Sequence, residues 1–145
     1  MKLLDIRALR GPNYWSNWRH QLMVMRVDLE EMEHSPSNTV PGFPERLQNL
    51  IPSLYEHRCS RGYEGGFLER VREGTWMGHI MEHIALEIQI LAGMQCGFGR
   101  CTWDGEEGIY NVIFFYEEER AGFYAAEAAF RIVQTMIANE SYDLD

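Results

Sequence analysis

Apolar positions along the chain fall into short runs divided by proline and glycine. KLLDIRAL at 2–9 alternates imperfectly and predicts a first strand, which RGPNYW ends with Gly11 and Pro12 as breakers. LMVMRVDL at 22–29 predicts a second strand, closing in the charged segment EEMEH. HSPSNTVPGFP at 34–44 carries three of the five prolines and reads as a loop. FPERLQNLIPSLYEH at 43–57 has helical periodicity broken by Pro52, which predicts either two short turns or a kinked helix. CSRGYEGG at 59–66 is glycine-rich and irregular, and it lacks the lysine and hydroxyl residue that close a phosphate loop. FLERVREG then predicts a short helix ended by Gly74.

The next helix carries the strongest signal. Thr75 can cap it, and it runs to about residue 91 before Gly93 stops it. Ile80, Ile84, Ile88 and Leu91 form one stripe with Met77 and Met81 beside it, the face of a helix packed on a sheet. GFGRCTWDGEEG at 97–108 reads as a second loop, and IYNVIFFYEEE at 109–119 as the clearest strand. A final helix is predicted from about 121 to 137, with alanines that permit close packing. The acids Glu117, Glu118 and Glu119 stand where a helix start favours negative charge. The closing NESYDLD reads as frayed. With no repeat or linker, the pattern predicts a single domain over 1–145 of the α+β class: a small sheet of mixed or antiparallel strands packed against the central helix and a C-terminal helix.

Composition narrows the partners. The 145 residues are 46% apolar and 24% charged, enough to bury a core without disulfides. Acidic residues outnumber basic ones 22 to 13, for a formal charge of -9, which argues against nucleic acid or an anionic membrane and suits a cationic ligand. Lys2 is the only lysine among the 13 basic residues, so the cationic chemistry is that of arginine, a bidentate fork for carboxylates. Three cysteines, Cys59, Cys96 and Cys101, are too few and odd in number for a disulfide framework. Neither a signal peptide nor a membrane-length apolar segment is visible, and a cytoplasmic location is the expectation.

Within the central helix, GTWMGHIMEHIALEIQ at 74–89 sets His79, Glu82 and His83 in the spacing H-x-x-E-H. Residues four apart share a helix face, so both imidazoles can point at one ion while Glu82 sits beside it as a general base. Zinc suits such ligands, and with three protein donors it keeps a position open for water, whose pKa then falls to about 7. The competing reading is a polar pair flanking the apolar stripe with Glu82 exposed. A third ligand must come from elsewhere: His57, Cys59, Cys96, Cys101, Glu69, Glu73 and Glu87 are available. Cys59, a thiol in a glycine-rich loop that can approach a helix closely, is the choice, with a small buried core residue as the alternative. Cys96 and Cys101 follow the far end of the helix, so reach is against them. Glu87, one turn beyond His83, can hold that imidazole's second nitrogen. Arg70 and Arg72 can hold a substrate carboxylate or an oxyanion, and surface ion pairs are the alternative. Arg7 and Arg10 flank the end of the first strand near Asn13, Tyr14 and Trp15, and the tryptophans and tyrosines could line a groove or simply fill the core.

LRGPNYW at 9–15, VMRVDLE at 24–30, PGF at 41–43, GGFLERVREGTWMGHIMEHIALEIQ at 65–89 and LAGMQCGFGR at 91–100 together resemble the N-terminal domain of the bacterial cyanophycin synthetase family. The resemblance implies a polymer of aspartate backbone with arginine on the side-chain carboxylates. It also implies ATP-grasp and Mur-ligase-like modules that carry out the ligations and are not in this sequence. In that family the N-terminal domain is associated with holding the polymer, and in some members with a metal-dependent hydrolase that cuts it internally to supply primers. His79, Glu82 and His83 match that second role, and Cys59 stands where a further ligand is expected. The expected cofactor is therefore Zn2+, and the expected partners are cyanophycin and the remaining synthetase domains, with homo-oligomerisation left open. Two alternatives stand beside the endo-hydrolase: a non-catalytic polymer-binding and structural domain, and a free-standing metallopeptidase on arginine-rich peptides.

Overall fold

The computed structural model describes residues 1–9 and 21–144, so Arg10, Asn13, Tyr14 and Trp15 lie outside the described residues. Among these, four strands make one sheet: β1 (Lys2–Leu9), β2 (Leu22–Asp28), β3 (Gly99–Trp103) and β4 (Ile109–Phe115). They are ordered β1-β2-β4-β3, and every neighbouring pair is antiparallel. The fold is α+β. β2 is central and buried on both sides, which explains why its sequence is a continuous apolar run rather than an alternation. Met23, Met25 and Val27 belong to the main core, while Leu22 and Val24 join Ile113 and the partly buried Leu9 in a small second cluster.

β3 corrects the reading of 97–108 as loop. An edge strand pairs on one side only, so its ladder with β4, from Gly99 opposite Phe114 to Trp103 opposite Tyr110, can hold a segment with no apolar alternation. The clearest strand also stops earlier than its pattern implies. It ends at Phe115, and the acids behind it start a helix: the Glu118 carboxylate accepts from the backbone N–H of Arg120 and Ala121.

Four α-helices complete the described chain: α1 (Phe43–Leu50), α2 (Gly66–Glu73), α3 (Met77–Leu91) and α4 (Glu119–Ile137). The periodic segment 43–57 resolves into α1 and a 3-10 turn, Pro52–Glu56, because the residue before a proline is pushed out of the helical region. α3 packs on β3, β4 and α4, while α4 also covers β1 and β2; α1 and α2 form an outer layer against them. The N-cap of α3 is Trp76 rather than Thr75, whose hydroxyl is engaged with His79 instead. The predicted stripe is buried at Met77, Ile80, Met81 and Ile84, but Leu91 at its end is 58% exposed because α3 outruns the sheet there. No helix among the described residues is long and apolar enough to cross a membrane.

α4 approaches the sheet closely at Gly122. A Cβ there would lie 2.7 Å from Met23 Cε and 2.9 Å from Tyr116 Cβ, so alanine's better helix propensity is opposed by overpacking. Gly122→Ala is expected to lower stability by about 1–2 kcal/mol, read as a shifted urea midpoint at constant m-value.

Candidate metal centre

α3 is buried almost all round. His83 and Glu82 are each 7% exposed and Glu87 is 2% exposed, which removes the reading of Glu82 as a solvent-facing residue. Groups this polar are costly to bury unless partnered. His83 and Glu87 both meet His57, from outside the helix.

The side-chain donor atoms of Cys59, His79 and His83 all lie within 4.8 Å of one another. Nε2 of His79 is 3.1 Å from Nε2 of His83 and 3.3 Å from Cys59 Sγ. The other ring nitrogens point away from this focus. His83 Nδ1 is 2.8 Å from His57 Nδ1, and His57 Nε2 bonds the Glu87 carboxylate. A carboxylate only accepts, so His57 donates from Nε2; its Nδ1 then accepts from His83, which leaves the His83 Nε2 lone pair facing His79 and Cys59. His79 Nδ1 meets the Thr75 hydroxyl at 2.9 Å, which can accept its proton and free the second Nε2. Two imidazole lone pairs and a sulfur directed at one point form the donor chemistry of a zinc site with an open position, so the residues fit the ion.

Local structure explains how Cys59 arrives there. It opens the 3-10 turn Cys59–Arg61 with φ +55°, a left-handed conformation that costs a non-glycine residue about 1 kcal/mol. The turn lies against the start of α2 only because residue 66 has no side chain: a Cβ on Gly66 would stand 2.5 Å from the Arg58 carbonyl oxygen. From α2, Phe67 stacks on the His83 ring at 3.9 Å between centroids and meets His79 edge-on at 5.7 Å, fixing both imidazoles. Also on α2, Arg70 donates to Cys59 Sγ at 3.4 Å and to Ser60 Oγ at 3.1 Å. Arg72, by contrast, turns away and bonds Gln48, because it lies on the opposite side of α2. Glu87 reaches His57 rather than His83, so its hold on the His83 ring passes through a second imidazole. Glu69 and Glu73 are spent on Arg61.

Cys96 and Cys101 are nearer than sequence distance implies, because the chain returns along β3. Both line cavities around the centre, yet neither joins the convergent donors. Burial, reinforced by Glu82, pushes the Cys101 thiol up to about 12, and burial with Glu117 beside it pushes Cys96 up to about 11. Thiols so held stay protonated and serve as packing groups.

Burial acts oppositely on acid and base. It lowers His79 to about 4 and His83 to about 2, the latter with help from His79, His57 and Arg70, and it raises Glu82 to about 7 against the pull of Arg70. Glu82 packs under Gly99 of β3, where a Cβ would fall 2.6 Å from its Cγ and 2.8 Å from Oε1. The centre opens into a cleft of about 620 Å³ that includes Cys59, Arg70, His79, Glu82 and His83. Sequence reasoning did not single out Phe67 or Thr75 for this site, and considered His57 only as a ligand; the one local hint was the i, i+4 spacing of Thr75 and His79.

These shifts predict the acid stability of the metal-free protein. Between about pH 5 and 6.5 the unfolded chain takes up protons on two imidazoles that stay neutral when folded, so stability falls on acidification. Glu82 opposes this, since the folded chain keeps a proton there that the unfolded chain has lost. Glu82→Gln should therefore steepen the loss by up to one proton, about 1.4 kcal/mol per pH unit, and His83→Gln should flatten it by a similar amount. Urea unfolding across this range in chelator would measure both slopes.

Residues 24–138 match the family model described as the cyanophycin synthase-like N-terminal domain. The chain is 56% identical over 145 residues to the cyanophycin synthetase of Geminocystis herdmanii, covering 100% of this chain and 17% of that protein. It is 54% identical over 144 residues to that of a Synechocystis species, covering 99% and 16% respectively. For the cyanophycin synthetase of Trichormus variabilis the identity is 55% over 142 residues, covering 98% and 16%. The chain thus spans about a sixth of the length of these curated relatives. With a match across nearly its whole length, the chain belongs to the cyanophycin synthase-like N-terminal domain family.

Proposed function

We propose that this chain is a zinc-dependent endo-hydrolase that cuts the poly-aspartate backbone of cyanophycin, supplies the fragments as primers for polymer synthesis, and holds the polymer for the synthetase's remaining domains. The observation that carries the reading is the convergence of Cys59, His79 and His83 within 4.8 Å beside the buried carboxyl of Glu82, in an open cleft. Bound there, zinc would supply a Lewis acid for the scissile carbonyl and its developing oxyanion. Glu82, raised to about 7, is matched to both halves of proton transfer near neutral pH: it takes a proton from the attacking water and returns it to the leaving amine. Arg70, at the edge of the cleft, can engage a substrate carboxylate or the oxyanion, whereas Arg72 faces elsewhere. The charge of -9 favours a polymer dressed in arginine. The ligase chemistry of a synthetase would reside in the length of the relatives that this chain does not span.

The test is to incubate the purified, zinc-analysed protein with insoluble cyanophycin and to measure soluble oligomers released. The parent should release them, and Glu82→Gln should keep its zinc while losing about 100-fold or more in rate. Gly99→Ala should also keep zinc but lose about 10-fold, because the added methyl displaces Glu82 from its packing under β3. His83→Ala should lose metal and activity together. Zinc bound without release in the parent would instead assign a polymer-holding domain. Equal cleavage of ordinary arginine-rich peptides would point to a general metallopeptidase.

A further inference from the structure

A second cavity, of about 470 Å³, adjoins the histidine cleft and shares Arg70, His79 and Glu82 with it. Three further residues of its wall come from separate elements. Glu33 comes from the 3-10 turn Glu30–His34 behind β2, Tyr110 from β4, and Trp76 from the N-cap of α3. The Glu33 side chain is only 14% exposed, yet its ion-pair partner among the described residues is His34, 3.9 Å away and 81% exposed. Tyr110 donates its hydroxyl to one Glu33 oxygen at 3.3 Å, which steadies the carboxylate without neutralising it. A carboxylate so withdrawn from water, with no arginine or lysine of the described residues at ion-pair distance, can be completed by a cation from outside. Trp76 is 51% exposed on the same wall, although its backbone is fixed at a helix start. Such an indole offers a π-face to a planar cation. Arg70 brings the opposite charge to the same cavity. The space therefore suits a ligand that carries a carboxylate and a planar cation on one flexible arm, as an arginine attached through its α-amine does.

We propose that Glu33 is a specificity-determining residue that seats a substrate guanidinium next to the cleavage centre, with the Trp76 indole against its plane and Arg70 on the carboxylate of the same arm. This assignment rests on the hydrolase reading of the centre for its substrate, but its geometry stands on Glu33, Trp76 and Tyr110. A guanidinium is favoured over an ammonium because only the planar group can both stack and pair bidentately.

The test compares a soluble β-linked aspartate–arginine oligomer with the same oligomer carrying citrulline, which keeps the shape and removes the charge. Binding is measured by calorimetry to zinc-loaded Glu82→Gln protein, where no turnover intrudes, and to the same protein with Glu33→Gln, which preserves a partner for Tyr110. The arginine oligomer is expected to bind more tightly than the citrulline one, and Glu33→Gln should cut that preference about 10-fold, to the part set by the protein's net charge, while leaving citrulline affinity unchanged. A preference undiminished by Glu33→Gln, an equal weakening of both oligomers, or no binding of either overturns the assignment. Cleavage by the unsubstituted protein is scored separately. A Glu33-dependent preference without cleavage would sink the hydrolase reading and keep the seat, whereas cleavage indifferent to Glu33 would do the reverse.

Discussion

The arrangement of the whole molecule follows from placing four ionisable side chains, His79, Glu82, His83 and Glu87, within a helix that is buried on nearly every side. An ordinary sheet-packing helix needs one apolar face; α3 needs its polar residues answered as well, since each would be costly in an apolar interior. The answers come from around it. His57, just after the 3-10 turn behind α1, bridges Glu87 and His83; Thr75 holds His79; α2 brings Phe67 against both imidazoles and Arg70 to the thiol. β3 closes over Glu82 through Gly99. Elements that look like connecting pieces, including the turn at 59–61, are where the partners reside. Their backbone compromises, a left-handed Cys59 and a side-chain-free Gly66, sit at the points of closest approach.

How much of this was legible in the sequence depends on whether the signal was local. The helix and the shared face of His79 and His83 follow from spacing alone, and the glycine-rich loop marks a place where backbone can approach backbone. β1, β2, β4 and both long helices announce themselves by pattern. β3 does not, because an edge strand of small and polar residues carries no period, and its identity is set by β4 beside it. The same limit governs side chains. Arg70 and Arg72 are two apart on one short helix and equivalent in sequence, yet one meets Cys59 and the other Gln48. Which side of α2 faces the centre is a tertiary fact. The bridge through His57 is also non-local, joining positions 57, 83 and 87 across a separation that no spacing rule covers.

Burial at this centre pushes its groups toward the uncharged state, and that has a consequence for cations. The two imidazoles are held neutral, which is the form that binds metal, so neither needs to expel a proton first. Burial raises Glu82 to about 7, so a nearby positive charge would favour its carboxylate form. Arg70 already pulls in that direction, opposing protonation at His79, His83 and Glu82 alike while lying against the sulfur of Cys59. A low-dielectric pocket thus keeps protons off the nitrogens and leaves their lone pairs free for a borderline-soft metal ion. The left-handed Cys59 and the buried polar network are both costs to the fold, and the proposed ion would offset them, since it would reward neutral ligands already gathered at one point.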